Sequence, residues 1–151
     1  MQDVAFIILI IVGFVIAFTA LWTGIVWLTS RLGGWADLAE EFPATGRIEG
    51  DTFKFCSARL RYVVNYSHCL TITVTPSGLH IIPMIFFRLG HPALLIPRQA
   101  IVSMERGMMP FFGATKLVIR RSSGKKPAVI TLYGKGLAEA LDRWFNNNPP
   151  E

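Results

Sequence analysis

From Val4 to Ser30 the chain carries no Asp, Glu, Lys, Arg, His, Asn, Gln or Pro. At a helical rise of about 1.5 Å per residue this run reaches about 40 Å, more than the roughly 30 Å hydrocarbon core of a bilayer. In lipid every backbone N–H and C=O must be paired within the segment, and a single helix does that. The run is therefore expected to be one membrane-spanning helix, with everything after Arg31 a polar domain held at the surface. A cleaved secretory signal fits less well. Met1-Gln2-Asp3 brings no side-chain positive charge, the apolar core is too long, and no good small-x-small site stands near Ala20 or Ser30. A core helix of a soluble protein rarely stays apolar all round for so many turns.

Trp22, Trp27 and Trp35 fall in the last turns and just beyond, where indole rings favour the headgroup level, so they are expected to mark one membrane interface. No Lys or Arg precedes the helix, whereas Arg31 follows it at once and Arg47 comes within about 20 residues. The positive-inside rule then puts the N-terminus outside and the C-terminal domain in the cytoplasm. The expected division is an anchor over 1–32, a linker with a short amphipathic helix over 33–46, one folded domain over 47–147, and a tail over 148–151. A remainder of about 120 residues suits a single core.

After Gly33-Gly34, which frees the chain to turn, Trp35, Leu38 and Phe42 recur at helical spacing opposite Asp37, Glu40 and Glu41. That predicts a short amphipathic helix running to Pro43, which its acidic polar face assigns to packing on the domain rather than on the membrane. From Thr52 the period becomes alternating. Leu70, Ile72 and Val74 alternate with Thr71, Thr73 and Thr75, Pro76-Ser77-Gly78 turns, and Leu79 to Met84 returns as a hairpin. Further strands are read at Thr52 to Leu60, Ala93 to Pro97, Ile101 to Arg106, Thr115 to Arg121 and Ala128 to Tyr133, seven in all. Lys135 to Phe145 returns to helical spacing, with Leu137, Leu141, Trp144 and Phe145 on one face.

The start Gly78-Leu79-His80-Ile81, the passage Leu95-Ile96-Pro97-Arg98-Gln99-Ala100-Ile101, and the final strand, turn and helix ending in Trp144 resemble the pleckstrin-homology-like fold. The resemblance is to the bacterial PH and GRAM-type domains often attached to membrane helices, and covers about residues 47–147. It implies an α+β protein: a membrane helix, then a seven-stranded bent sheet or barrel capped by a C-terminal helix. It also implies a binding module at a bacterial inner membrane, although a fold alone does not carry a function.

Chemistry in the usual sense has little to stand on in the sequence. His68, His80 and His91 match no zinc spacing, and Ser57 and Cys56 have no G-x-S-x-G or comparable setting. Cys56 and Cys69 read as reduced thiols in a cytoplasmic domain. No metal, cofactor, small-molecule substrate or nucleic-acid partner is expected, and the protein is read as a non-enzyme. Lys54 and Arg59-Leu60-Arg61 match in letters the basic pattern with which eukaryotic PH domains hold phosphoinositides. Only four residues intervene, too few for the turn that pattern needs, so these charges are expected to point out of one strand into solvent.

Two features stand out for binding. Arg120, Arg121, Lys125 and Lys126 flank a turn, either as a solvated hairpin or as a site for anionic lipid headgroups, in keeping with a net charge of +5. Met84 to Pro92 and Gly107 to Gly113 are apolar where loops are normally polar, and either fold over the core or present a patch. Phe86 and Phe87 with Met108, Met109, Phe111 and Phe112 are the candidate protein-binding residues. If connections simply alternate between the two ends of the sheet, these two loops share the end away from the membrane, opposite the basic hairpin. The first expectation is thus a membrane-protein partner, with the chain an accessory or assembly subunit of a membrane complex. A membrane-anchored lipid-sensing module is the second, and an enzyme the third.

Overall fold

A computed structural model of the chain describes residues 2–45, 48–61, 64–107, 113–122 and 124–147. The apolar run is one continuous helix, α1 (Gln2–Gly33), and it is exposed along most of its length. Its last turns are not. Val26, Ser30 and Gly33 are buried against the rest of the protein. Gly34 then takes a left-handed φ of 77° and lets the chain reverse at once into α2 (Trp35–Glu41). The left-handed bend is what calls for glycine here; the Arg61 guanidinium that lies 2.6 Å from where a Cβ would stand is the end of a flexible side chain.

Seven antiparallel strands follow: β1 (Asp51–Leu60), β2 (Val64–Thr75), β3 (Gly78–Pro83), β4 (Leu94–Pro97), β5 (Ile101–Arg106), β6 (Ala114–Ile119) and β7 (Ala128–Tyr133). They form one sheet in the order β4-β3-β2-β1-β7-β6-β5, curled into a nearly closed barrel and followed by the helix α3 (Leu137–Asn147). The central strand β1 serves both halves, pairing with β2 along its length and with β7 over Ser57 to Leu60. Serving two partners requires it to bend. The register of β1 on β2 shifts between Phe53 and Cys56 and between Cys56 and Ala58, and Phe55 and the facing strand's His68 both adopt positive φ. Bulges of this kind sharpen the local twist and let a sheet curl.

The interior is built from alternate strand residues that are almost free of solvent, among them Ile72, Leu79, Ile81, Ile96, Leu117, Ile119 and Leu132. Burying each such side chain contributes about 1.5–3 kcal/mol. Helices complete the same cluster from both termini of the domain, Trp35 and Leu38 from α2, and Leu137, Leu141 and Trp144 from α3. Arg98, in the short turn between β4 and β5, fixes α3 by lying 3.9 Å over the Phe145 ring while donating to the Ile101 carbonyl.

Simple alternation between ends fails at that turn. Each neighbouring pair in the sheet is antiparallel, so tracing both ways from β1 makes β4 and β5 run in the same sense. The two are not paired with each other, and the turn at Arg98–Ala100 carries the chain round a corner between the two edges. Every connection after it therefore lies at the end opposite to the one that alternation predicts. The β6–β7 turn sits beside the end of β1, where Arg61 donates its N–H to the Val129 carbonyl, and not beside its start. Gly107, after β5, and Gly113, before β6, lie at the other end, with Gly113 against Ala138 of α3.

Candidate functional site

The end of the sheet where β1 gives way to β2 collects most of the residues singled out from the sequence. α2 and Phe42 just after it are seated there by polar contacts from β4 and from residues just past β1 and β6. Leu95 donates to the Phe42 carbonyl at 3.0 Å, Arg61 pairs with Asp37 at 3.0 Å, and Arg121 pairs with Glu41 at 3.0 Å. The Arg121 side chain is only 5% exposed and Glu41 10%, so this last pair is a buried fastening between α2 and the β6–β7 turn. Burial would push the Glu41 carboxyl up. The Ser122 N–H and hydroxyl and the Arg121 guanidinium together hold it below the usual carboxylate range.

The basic hairpin is thus divided. Arg121 is spent inside the protein, whereas Arg120, Lys125 and Lys126 are exposed, with no ion pair to them among the described residues. Arg61 likewise is tied to Asp37, rather than pointing free into solvent with Lys54 and Arg59.

The three tryptophans also have different fates. Trp22 and Trp27 are exposed on α1, and Trp27 carries the Arg31 guanidinium 5.4 Å above its ring. Trp35 is 1% exposed and sits in the core, donating its indole N–H to the Pro92 carbonyl at 2.9 Å. Its ring packs 5.1 Å from Tyr66 and 5.5 Å from His91, so it is a core residue rather than a headgroup-level one. The left-handed Gly34 turns the first residue of α2 inward, which helical periodicity carried on past residue 30 does not reveal.

His91 closes this aromatic group. The Phe87 carbonyl can only accept, so Nδ1–H donates to it at 3.1 Å, and Nε2 accepts from the Tyr66 hydroxyl at 2.9 Å. Burial lowers the imidazole pKa against the opposing pull of the Phe87 carbonyl, which keeps the ring neutral, and burial pushes the Tyr66 hydroxyl up.

The β3–β4 connection, Met84 to Ala93, lies on the same side and runs against the last turns of α1. The Trp22 ring meets Phe87 at 5.8 Å, and its N–H points at the Phe86 carbonyl at 3.5 Å. Ser30 donates its hydroxyl to the Gly90 carbonyl. Gly90, at a φ of 99°, brings its backbone so close that a Cβ there would stand 3.3 Å from the Trp27 Cα. Phe87 packs against the core, whereas Ile85, Phe86 and Leu89 project outward, 63–69% exposed. A cleft of about 250 Å³ opens beside this seam, lined by Trp27, Ser30, Arg31, Ala39, Glu40 and Gly90 among others.

Phe86 and Phe87 are therefore at the α1 side of the sheet, with the basic hairpin and not opposite it. Met108, Met109, Phe111 and Phe112 lie outside the described residues; Gly107 and Gly113, the described residues on either side of them, are at the far end. What sequence reasoning missed is the seam itself, Ser30 with Gly90 and Glu41 with Arg121. Neither pair is close in the chain, and a lone serine or glutamate gives no sign of its distant partner.

Against models of known protein families the chain matches none, and it matches none of the curated proteins with which it was compared.

Proposed function

We propose that this protein is a non-enzymatic, single-pass membrane protein whose PH-like domain is held in a fixed pose on the cytoplasmic face of a bacterial inner membrane. There it binds anionic headgroups beside its own anchor and serves as an accessory subunit of a membrane complex. One observation carries the reading. Exposed cations (Arg120, Lys125, Lys126) and exposed apolar side chains (Ile85, Phe86, Leu89) occur at the one end of the sheet that is fastened to the apolar helix. Arg31 and Arg47 after the helix, with no basic residue before it, support the cytoplasmic placement. The burial of Val26 and Ser30 speaks for an anchor that stays in place, since removing the helix as a signal would strip side chains from the domain's own packing.

Seven antiparallel strands followed by a helix whose Leu137, Leu141 and Trp144 enter the core are what the PH-like reading requires. The non-enzymatic reading draws on the state of the reactive groups. Burial pushes the Cys56 thiol up to about 11 and raises Cys69 as well, away from the thiolate that chemistry needs, and both ring nitrogens of His91 are engaged.

A partner protein is favoured by a separate feature, on α1. Gly13, Ala17, Ala20 and Gly24 fall at i, i+4, i+7 and i+11 and share one face, where among the described residues a Cβ added at either glycine would meet nothing within 4 Å outside the backbone of its own helix. Small residues in such a row let a second membrane helix come close. The lipid and partner readings separate in one experiment, in which the parent chain and an Arg120→Gln, Lys125→Gln, Lys126→Gln variant are purified in mild detergent. The variant should lose co-purifying anionic lipid and keep any stoichiometric protein partner. In a chain that starts at Gly24, which lacks the span but keeps the buried Val26, Ser30 and Gly33, the same three substitutions should weaken binding to anionic vesicles about 100-fold at low salt, at about 1 kcal/mol per basic residue, with the difference vanishing at high salt. Equal binding at low salt would leave these three residues as a solvated turn.

Orientation has its own check. Asn146 is exposed on α3, and an impermeant thiol reagent should label an Asn146→Cys chain in inverted vesicles but not in intact cells. Labelling in intact cells would place the domain outside.

A further inference from the structure

We infer that the β3–β4 loop is a second membrane contact, in which Ile85, Phe86 and Leu89 insert into the boundary between headgroups and acyl chains of the leaflet from which α1 emerges. The inference rests on the reading of α1 as a membrane-spanning helix and goes beyond headgroup binding by the basic hairpin.

The loop is rigid where it meets the helix. Phe87 donates its N–H to the Met84 carbonyl at 2.9 Å, the His91 ring holds the Phe87 carbonyl, Arg88 Nε donates to Pro83 O at 3.2 Å, and Ser30 holds Gly90. A loop anchored at so many points does not fold Ile85, Phe86 and Leu89 back under the sheet. They stand outward as a cluster of large apolar side chains, and apolar groups so displayed on one rigid loop mark a surface that is covered in use.

The helix says what covers it. Trp27, with Arg31 over its ring, is the residue suited to the headgroup level. Trp22, which touches Phe86 and Phe87, lies five residues nearer the N-terminus, about 7.5 Å deeper along the helix axis at 1.5 Å per residue. Interfacial apolar groups sit about 5–10 Å into this boundary, so the tip of the loop is at the depth where such groups reside. Between Val4 and Trp22 the helix has only apolar or small uncharged side chains, so at that depth the medium beside it is lipid. Arg88, exposed on the same loop, is placed to reach back to phosphates. The bilayer is thus the occupant, and the domain is seated by two contacts, the helix and the loop, which together fix its tilt.

The test uses the full chain in phosphatidylcholine vesicles, with Phe86→Cys carrying an environment-sensitive fluorophore and Asn146→Cys as the comparison site on α3. Both native thiols are buried, so the reagent selects the introduced one. Because Phe86 is exposed, the substitution leaves the core unchanged. The label at Phe86 should show blue-shifted emission and lose most of its intensity when doxyl-labelled lipid is included, while the label at Asn146 shows neither. Water-like emission at Phe86 would overturn the inference. A blue shift without quenching by doxyl lipid would also overturn it, since a protein partner or a second copy would then cover the loop. Quenching that appears only when phosphatidylglycerol is added would overturn it too, because charge and not the apolar loop would be holding the domain down. Headgroup binding by the basic residues is read separately, from the salt dependence of the glutamine variant, so either proposal can fail alone.

Discussion

Trp35→Ala should cost about 3–5 kcal/mol, the range for deleting a large buried aromatic side chain. The ring is the hinge of the whole assembly. It fills the end of the core beneath α2, contacts Tyr66 and His91, and ties α2 to the β3–β4 connection through Pro92. A domain of this size has only about 5–15 kcal/mol in total, so a loss of that order should lower the melting temperature in detergent by roughly 10 °C or more. Trp27→Ala is the control. Its ring is exposed, and surface changes of that kind usually stay within about 0.5 kcal/mol. Equal melting temperatures for the two variants would mean that Trp35 does not hold α2 to the sheet.

Glu41→Ala should be the other severe substitution, costing about 3–5 kcal/mol because it takes from the buried Arg121 guanidinium its close ion pair and leaves it the Asp37 carbonyl at 3.4 Å and the Asp37 carboxylate at 3.9 Å. Arg121→Met should cost less, since Glu41 keeps its two bonds from Ser122. The double variant should be less damaged than the sum of the two, by about 1–3 kcal/mol, as expected for partners in one network. Additivity within error would show that the pair is not a fastening.

The same residue predicts an acid phase. Because the folded-state pKa of Glu41 lies below its unfolded value, its contribution is present in full above about pH 4.3 and is lost as pH falls through the folded value. His91 acts earlier. Buried and neutral, it has a folded pKa below the ordinary imidazole value, so the unfolded chain gains protons first and stability begins to fall below about pH 6.5. Acid denaturation followed by fluorescence should therefore show a decline with two parts, and Glu41→Gln should remove only the lower one.

Much of the architecture was legible because it follows from local patterns. The uncharged run made α1 unmistakable, and the Thr71 to Thr75 alternation with Pro76-Ser77-Gly78 gave the β2–β3 hairpin, though not its register, in which Gly78 already pairs with Thr75. The first half of β2, from Val64 to Cys69, was not read as a strand. Its buried positions, Tyr66 and then Cys69, are three apart, because the bulge at His68 shifts the alternation. A period of two cannot be recognised across a residue that belongs to neither face.

The candidate site was legible as residues but not as a place. Arg120, Lys125, Lys126 and Phe86 are where a reading of charge and apolarity would look, yet that reading put the phenylalanine at the wrong end of the sheet, and it counted Arg121 among the free cations and Trp35 among the interface anchors. Each error has one cause: the partner is distant in sequence. Glu41 reaches Arg121 across 80 residues, Pro92 meets Trp35 across 57, and the strand sense at the Arg98–Ala100 corner is decided only by β7 returning antiparallel to β1.

The sequence by itself determined that this chain has an apolar helix long enough to cross a membrane, seven short strands and an amphipathic C-terminal helix, because hydrophobic period and turn chemistry act between neighbours. Only the tertiary structure decided which end of the sheet meets the helix and which cations remain free. It also decided that the Ile85 to Leu89 loop lies beside Trp22, because a curled sheet closes through β1 and joins segments that no local pattern connects.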